Sequence, residues 1–300
     1  MKRYISFDVG GTSVKYGVMD ENGAFLEKGD FATNRNSGQE ILAQMLRTIE
    51  RHGPLAGVAI SIPGLVNYRT GVIRVGGAIP DFDKLNIKAY FEERTQLPTS
   101  VENDANCVAL AEKWLGNAQQ ESDFLCVTIG SGIGGACFLN GRLYRGATFA
   151  AGEFGYMITQ GLHNNVANNC VLNRTATILV MRRHYAEFKR LPLEQVSGEM
   201  VFDEAKNGDP YARHAVNQLL DALSIGLHNL FFILDPAKIL LGGAVSRRED
   251  LIPELKWRIQ RLNNFGIEVP LERCRFYNDS GMIGALYHHL TEYGGRGEAQ

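Results

Sequence analysis

Asp8-Val9-Gly10-Gly11-Thr12 sets a carboxylate, two glycines and a hydroxyl between two stretches that read as β-strands. Adjacent glycines permit positive φ and carry no Cβ, so backbone N–H groups can turn inward and approach phosphate oxygens. Thr12 adds a hydroxyl donor, Lys15 has the reach to meet a phosphate, and Asp8 can hold Mg²⁺ through its waters, as a hard oxygen ligand does. A second turn, Gly130-Ser131-Gly132-Ile133-Gly134-Gly135, packs four glycines into six positions directly after an apolar run. It lacks the Lys-Ser/Thr of a Walker A loop, and a strand rather than a helix follows it, unlike a dinucleotide fingerprint. Gly242-Gly243 is a third pair at a strand end. Each turn alone also reads as a plain or bulged hairpin. Three of them at strand ends point to phosphate.

Glu102-Asn103-Asp104 stands between a strand and a helix, where a carboxylate can be held within reach of a substrate hydroxyl. Asn103 offers a donor and an acceptor, as recognition of sugar hydroxyls requires; Asp104 also reads as a simple helix cap. Glu153, in Ala151-Gly152-Glu153-Phe154-Gly155-Tyr156, is an acid among glycines and aromatics that can accept from sugar hydroxyls, with Tyr156 packing on the ring or donating its phenol. A lone loop glutamate is otherwise usually solvated. Together the set matches phosphoryl transfer, which needs mainly positioning and charge neutralisation.

The elements that must position these groups are strands alternating with helices. Tyr4–Val9, Ser13–Met19 and Phe25–Thr33 read as strands in quick succession, and Gly38–His52 as an amphipathic helix. Gly57–Ile62 and Thr99–Glu102 read as strands, Asn86–Thr95 and Asp104–Leu115 as helices. Asp123–Ile129, Ala136–Leu139 and Arg142–Tyr144 then repeat the opening pattern, a sign of internal duplication. Later come a helix over Ala212–Leu234, a strand over Lys238–Leu241, a helix over Asp250–Leu262, a strand over Arg275–Tyr277 and a last helix, Ser280–Tyr293, capped by Ser280. The class is α/β. With 300 residues, two lobes are expected: a smaller one over 1–117, completed by the helix at 280–293, and a larger one over 118–279, with 294–300 a disordered tail. Ligands then belong in the cleft between lobes.

Composition removes other classes. The net charge of −2 shows no segregation of sign, so neither a nucleic-acid footprint nor a polybasic membrane surface is expected. The amino terminus carries no long apolar run and reads as neither signal peptide nor membrane span. Five scattered cysteines without a Cys-x-x-Cys pair suit a reducing compartment.

These motifs resemble the ROK family (repressors, open reading frames and kinases) of the sugar kinase/Hsp70/actin superfamily. The likeness runs from Asp8–Thr12 through Ile62-Pro63-Gly64, Glu102–Asn106, Gly130–Gly135, Ala151–Gly155 and Gly242-Gly243 to Gly281-Met282-Ile283-Gly284-Ala285, nearly the whole chain. It implies a two-lobed actin-like ATPase (ribonuclease H-like) fold. It also implies that Asp104 is the catalytic base, that Gly64, Asn103 and Glu153 line a sugar site, and that the glycine turns hold ATP with the adenosine near Gly242-Gly243. A homodimer is implied as well.

One departure is informative. Many ROK kinases carry a zinc module, with a histidine after the Glu-x-Gly segment and a cysteine-rich run. Here Tyr156 takes the histidine position and only Cys170 remains, with His163 nearby. Two ligands are too few for a tetrahedral site, so no structural zinc is expected, and Tyr156 is the candidate replacement in sugar contact. Among zinc-free members the chain is most similar to bacterial β-glucoside kinases, which phosphorylate the 6-hydroxyl of the non-reducing glucose of cellobiose and related sugars. N-acetylmannosamine kinases and glucokinases share the catalytic motifs, and loops such as Arg74–Phe82 and His163–Asn169 shape the pocket. ROK repressors add an amino-terminal helix-turn-helix; a phosphate turn at residue 8 leaves no room for one. An actin- or Hsp70-like ATPase lacks the Glu-Asn-Asp sugar set. The expectation is a cytoplasmic ATP–Mg²⁺ sugar kinase.

Overall fold

The computed structural model describes residues 1–34, 36–161, 169–262 and 266–294. His163, most of the loop containing it, and the tail beyond Gly294 lie outside the described residues. The first half contains β1 (Arg3–Val9), β2 (Ser13–Asp20), β3 (Phe25–Ala32), α1 (Gly38–Arg51), β4 (Gly57–Ile62), β5 (Leu65–Asn67), β6 (Val72–Val75), α2 (Ile87–Thr95), β7 (Thr99–Asn103) and α3 (Asp104–Trp114). The remainder contains β8 (Phe124–Ile129), β9 (Ile133–Leu139), β10 (Arg142–Tyr144), α4 (Leu172–Thr175), α5 (Ile178–Lys189), α6 (Gly198–Lys206), α7 (Pro210–Leu234), β11 (Lys238–Gly242), α8 (Leu251–Leu262), β12 (Leu271–Arg273) and α9 (Ser280–Tyr293).

β1, β2 and β3 form an antiparallel meander, and β4 and β7 add in parallel beyond β1, giving the order β3-β2-β1-β4-β7. The second five-stranded sheet has the order β10-β9-β8-β11-β12, again with an antiparallel hairpin (β9, β10) and parallel pairs (β8 with β11, β11 with β12). The strand–glycine turn–strand repeat is therefore a repeat of topology. Ile5, Phe7, Val58, Ile60, Met45 and Phe91 are fully buried in the first core, each contributing about 1.5–3 kcal/mol relative to exposure.

Two compact units emerge, one of Met1–Ser122, Ala136–Ala151 and Arg275–Gln300, the other of Asp123–Gly135 and Gly152–Cys274. Residues 136–151, which the sequence boundary at 117/118 assigned to the second lobe, fall in the first unit. Side-chain contacts account for this: Lys113 Nζ of α3 lies 5.5 Å from the Phe138 ring, and Arg145 pairs with Glu102. In the first unit α9 packs so closely on α3 that a Cβ at Gly284 would stand 1.7 Å from the Cys107 carbonyl oxygen.

The carboxy-terminal expectations need two corrections. The last strand is Leu271–Arg273, and Arg275–Tyr277 is not extended, because the parallel register with β11 ends at Leu241 opposite Arg273. Ser280 is the first helical residue rather than a cap: its hydroxyl donates to the Tyr277 carbonyl at 3.0 Å. The five cysteines are free and buried.

Candidate functional site

In the first unit, parallel pairing of β1, β4 and β7 sets Asp8, Ser61 and Glu102 in one row across the carboxyl ends of the strands. Asp8 sits opposite Lys15 on β2 and accepts a 2.8 Å hydrogen bond from Ser61 Oγ. Burial pushes the Asp8 carboxyl above its ordinary range, while the Ser61 hydroxyl and the Lys15 charge pull the other way. A buried acid of this kind is relieved by a nearby cation. Gly281 on α9 packs directly against Asp8: a Cβ there would lie 2.3 Å from Asp8 Oδ1. The donor chemistry, a carboxylate oxygen at a strand end, is the kind a hydrated divalent ion takes.

The Asp8–Thr12 turn is closed by Gly10 N–H donating to Ser13 O at 3.0 Å, so this amide is spent within the turn. Gly130 N–H is likewise spent on Gly132 O at 2.9 Å. None of Gly10, Gly11, Gly130, Gly132, Gly134 or Gly135 has positive φ. Where their need for glycine is visible it is room: a Cβ on Gly10 would be 2.9 Å from Ser13 O, and one on Gly135 would be 2.1 Å from the Phe154 ring. This corrects the expectation that left-handed backbone turns these amides toward phosphate.

The corner between β7 and α3 carries the polar trio. Asn103, not Asp104, caps α3, its Oδ1 accepting from Asn106 N–H at 3.0 Å. Asn103 Nδ2 donates to the Gly64 carbonyl at 3.0 Å and to Asp104 Oδ1 at 3.1 Å, and Asp104 Oδ1 also accepts from Ala105 N–H at 2.8 Å. Gly64 has φ +100°, and a Cβ there would stand 2.0 Å from Val75 O, so only glycine brings this carbonyl to Asn103. Three sequence-predicted residues thus form one cluster. Asp104, half-buried in the first turn of α3, is not the capping residue, although its Oδ1 takes the Ala105 amide.

Sequence reasoning named Glu102 only as part of the motif and missed its buried pairing with Arg145 beneath Asp104. Glu102 is 1% exposed; its Oε1 accepts from Asn103 N–H (2.8 Å) and Asn106 Nδ2 (2.9 Å), while Oε2 accepts from Arg145 Nε at 2.7 Å. Burial alone would raise the Glu102 carboxyl, yet the Arg145 charge, His288 and the Asn106 and Arg145 hydrogen bonds hold it below its ordinary range.

In the second unit, Gly130-Ser131 and Gly242-Gly243 lie side by side at the ends of parallel β8 and β11, where Gly242 pairs with Thr128. Gly243 has φ +87°, and a Cβ there would meet Ile129 O at 2.2 Å, so glycine is obligatory. Ser246 Oγ donates to Gly243 O at 2.7 Å and fixes the turn. A cavity of about 1090 Å³ opens here, lined by Gly130, Ser131 and Ala244 together with Ile178, Arg182 and Phe202 of α5 and α6, among others. Its position outside the carboxyl ends of parallel strands is where open α/β sheets take ligands. Arg248 stacks 4.2 Å from the Phe202 ring at its edge. The sequence signals for these walls were Thr177 and Ser197, whose hydroxyls cap α5 and α6 by accepting from Val180 and Met200 N–H.

Glu153 and Tyr156 share a short 3₁₀ turn over Phe154–Tyr156. Glu153 is half-buried, and desolvation raises its carboxyl pKa; Tyr156 is 68% exposed. Cys170 is buried with its thiol 3.1 Å from Gly161 O. Among the described residues no three His, Cys, Asp or Glu side chains gather as a metal site would.

The model of the ROK family matches residues 4–292. This chain belongs to the ROK family. A Klebsiella pneumoniae relative named a β-glucoside kinase is 43% identical over 288 residues, covering 96% of either chain. Among solved ROK-type structures, a Listeria monocytogenes protein for which N-acetylmannosamine kinase activity has been suggested superposes with TM-score 0.92 at 40% identity, covering 97% of this chain and 99% of its own. A Streptococcus pneumoniae ROK protein in complex with sucrose gives TM-score 0.87 at 30% identity, covering 98% and 99%. The fold of this ROK protein is accordingly the two-lobed actin-like ATPase fold. No helix among its described residues is long and apolar enough to cross a membrane.

Proposed function

We propose that this ROK protein phosphorylates the 6-hydroxyl of the non-reducing glucose of cellobiose and related β-glucosides, with ATP as donor. The carrying observation is the setting of Asp104: in the first turn of α3, whose cap is Asn103, with Asn103 Nδ2 donating both to Asp104 Oδ1 and to Gly64 O. The Klebsiella relative, named a β-glucoside kinase, supports the substrate class, and the sucrose-bound Streptococcus structure supports a disaccharide.

In this reading Asp104 accepts the proton as the sugar oxygen attacks the γ-phosphorus in line, help typically worth about 10²–10⁴ in rate. In the first unit Asn103, whose Oδ1 has a second lone pair beyond the cap, and Gly64 orient the sugar; in the second unit Glu153 and Tyr156 are the candidate sugar contacts. In the first unit Gly11, Thr12 and Lys15 offer donors to phosphate, and in the second Ser131, Gly132 and Gly134 do, while the Gly10 and Gly130 amides close their own turns. The adenosine occupies the cavity beside Gly242-Gly243. Asp8 would hold Mg²⁺ through water, and that ion supplies positive charge against the transferring phosphoryl oxygens. Five buried free cysteines support a cytoplasmic location, and the family resemblance supports a homodimer.

The test is ADP release measured across cellobiose, gentiobiose, glucose, N-acetylmannosamine and fructose. Turnover with the β-glucosides supports the proposal. Activity confined to N-acetylmannosamine, the reaction suggested for the Listeria monocytogenes protein, would replace the substrate and keep the kinase. Turnover indifferent to sugar would remove the kinase reading.

A further inference from the structure

The two neighbours that flank Asp104 in sequence space are held by a single atom. Glu102 Oε1 accepts from the Asn103 amide on one side of Asp104 and from the Asn106 side chain on the other. The second oxygen of the same carboxylate takes Arg145 Nε at 2.7 Å, with the two side chains 1% and 9% exposed. Arg145 belongs to residues 136–151 of the first unit, and its guanidinium lies 4.0 Å from the Tyr68 ring centroid. Tyr68 in turn meets Phe149 edge-on at 6.0 Å, and Arg74 Nη1 donates to the Thr148 carbonyl at 3.0 Å. The segment 145–149 is thereby fastened to the β5–β6 hairpin and to the corner beneath Asp104.

A buried ion pair is a poor source of net stability, because desolvation offsets most of the attraction, but breaking it leaves an uncompensated charge. Its fixed geometry is what it supplies here. Arg suits the place because its planar fork donates directionally while its face stacks on an aromatic ring, which a lysine cannot do in the same way.

We infer that Glu102 and Arg145 are positioning residues for phosphoryl transfer: the pair locks segment 145–149 onto the corner that aims Asp104. Neither touches the reacting atoms. The inference rests on the assignment of Asp104 as base, and small misplacements of such a group cost large factors in rate.

The experiment compares steady-state kinetics of the full chain with those of Arg145→Met, Arg145→Lys, Glu102→Gln, the double variant Glu102→Gln/Arg145→Met, and Asp104→Asn as a separate control. Arg145→Met is expected to lower kcat about 10- to 100-fold while leaving KM for ATP within about twofold. Arg145→Lys should recover part of the loss. The double variant should be no worse than about the poorer single, since both remove one interaction. If Arg145→Met does not fold, Arg145→Lys and Glu102→Gln carry the same criteria. A kcat within about twofold of the parent, a loss expressed only in KM for ATP, or fully additive singles would overturn the inference. An active Asp104→Asn would overturn the underlying reading instead, and so the two failures are told apart.

Discussion

Asn103 caps the helix that begins at Asp104, taking the Asn106 amide at 3.0 Å while its own amide group donates to Asp104 Oδ1 at 3.1 Å. The division of labour matters: Asn103 supplies the cap, while the Asn103 and Ala105 bonds to Oδ1 orient the Asp104 carboxylate. Asp104→Asn should therefore lower kcat by about 10²–10⁴ with little change in thermal midpoint. Asn103→Ala should instead lose about 1 kcal/mol of stability through the cap, and activity with it. Kinetics beside thermal denaturation separates the two. Sugar-dependent turnover by Asp104→Asn within a few-fold of the parent contradicts the role.

Gly281 is a second sharp case. In an ordinary helix interior, glycine to alanine stabilises by about 1 kcal/mol. Here the added Cβ would stand 2.3 Å from Asp8 Oδ1. Gly281→Ala is expected to destabilise by about 1–3 kcal/mol through overpacking and to raise the Mg²⁺ concentration needed for turnover. Urea denaturation checks the first, an activity titration with Mg²⁺ the second; an alanine that stabilises the protein refutes the close approach.

At Gly243 the demand is on the backbone. With φ at +87° and Ile129 O 2.2 Å from any Cβ, Gly243→Ala should strain the turn by about 1–3 kcal/mol. Because this turn edges the cavity assigned to adenosine, KM for ATP should rise more than KM for sugar. Equal rises in both would disconnect the turn from the nucleotide.

His289, buried on α9 with Nδ1 3.1 Å from Ser100 Oγ, has its pKa lowered to about 4, first by desolvation and then by the charges of His288 and Lys88. The unfolded chain binds the proton more readily, near the ordinary histidine value of about 6.5. Stability from this group is thus full above about pH 6.5 and is lost as pH falls toward 4, by up to about 3 kcal/mol. Denaturation curves at several pH values should show this slope, and His289→Gln should flatten it. A variant whose stability tracks the parent through that window would contradict the burial argument.

Much of the fold was legible because local chemistry announced it. The near-continuous buried run of Tyr4–Val9, the turn before β3 and the amphipathic face of α1 each fix an element from within a short window. The site was legible where its parts were contiguous, as in Glu102-Asn103-Asp104 and the glycine turns. What escaped was non-local. Glu102 and Arg145 are separated by 43 positions, and no spacing rule links them. The walls of the cavity escaped because α5 and α6 are short and each is announced only by a single capping residue, Thr177 or Ser197. The amides of Gly10 and Gly130 were misjudged because a glycine pair in sequence does not tell crowding from left-handed backbone; Gly10 and Gly135 are crowded by Ser13 O and Phe154, while a Cβ at Gly130 would meet nothing nearer than Gly132 O at 4.0 Å.

The central claim is the transfer of a phosphoryl group to one particular sugar oxygen, and ³¹P–¹H NMR of the product formed from cellobiose and ATP tests it most directly. The account predicts a phosphomonoester coupled to the two hydrogens on C6 of the non-reducing glucose, formed in step with ADP and absent with Asp104→Asn. Release of ADP with inorganic phosphate and no sugar ester, or an ester on another oxygen, would contradict it.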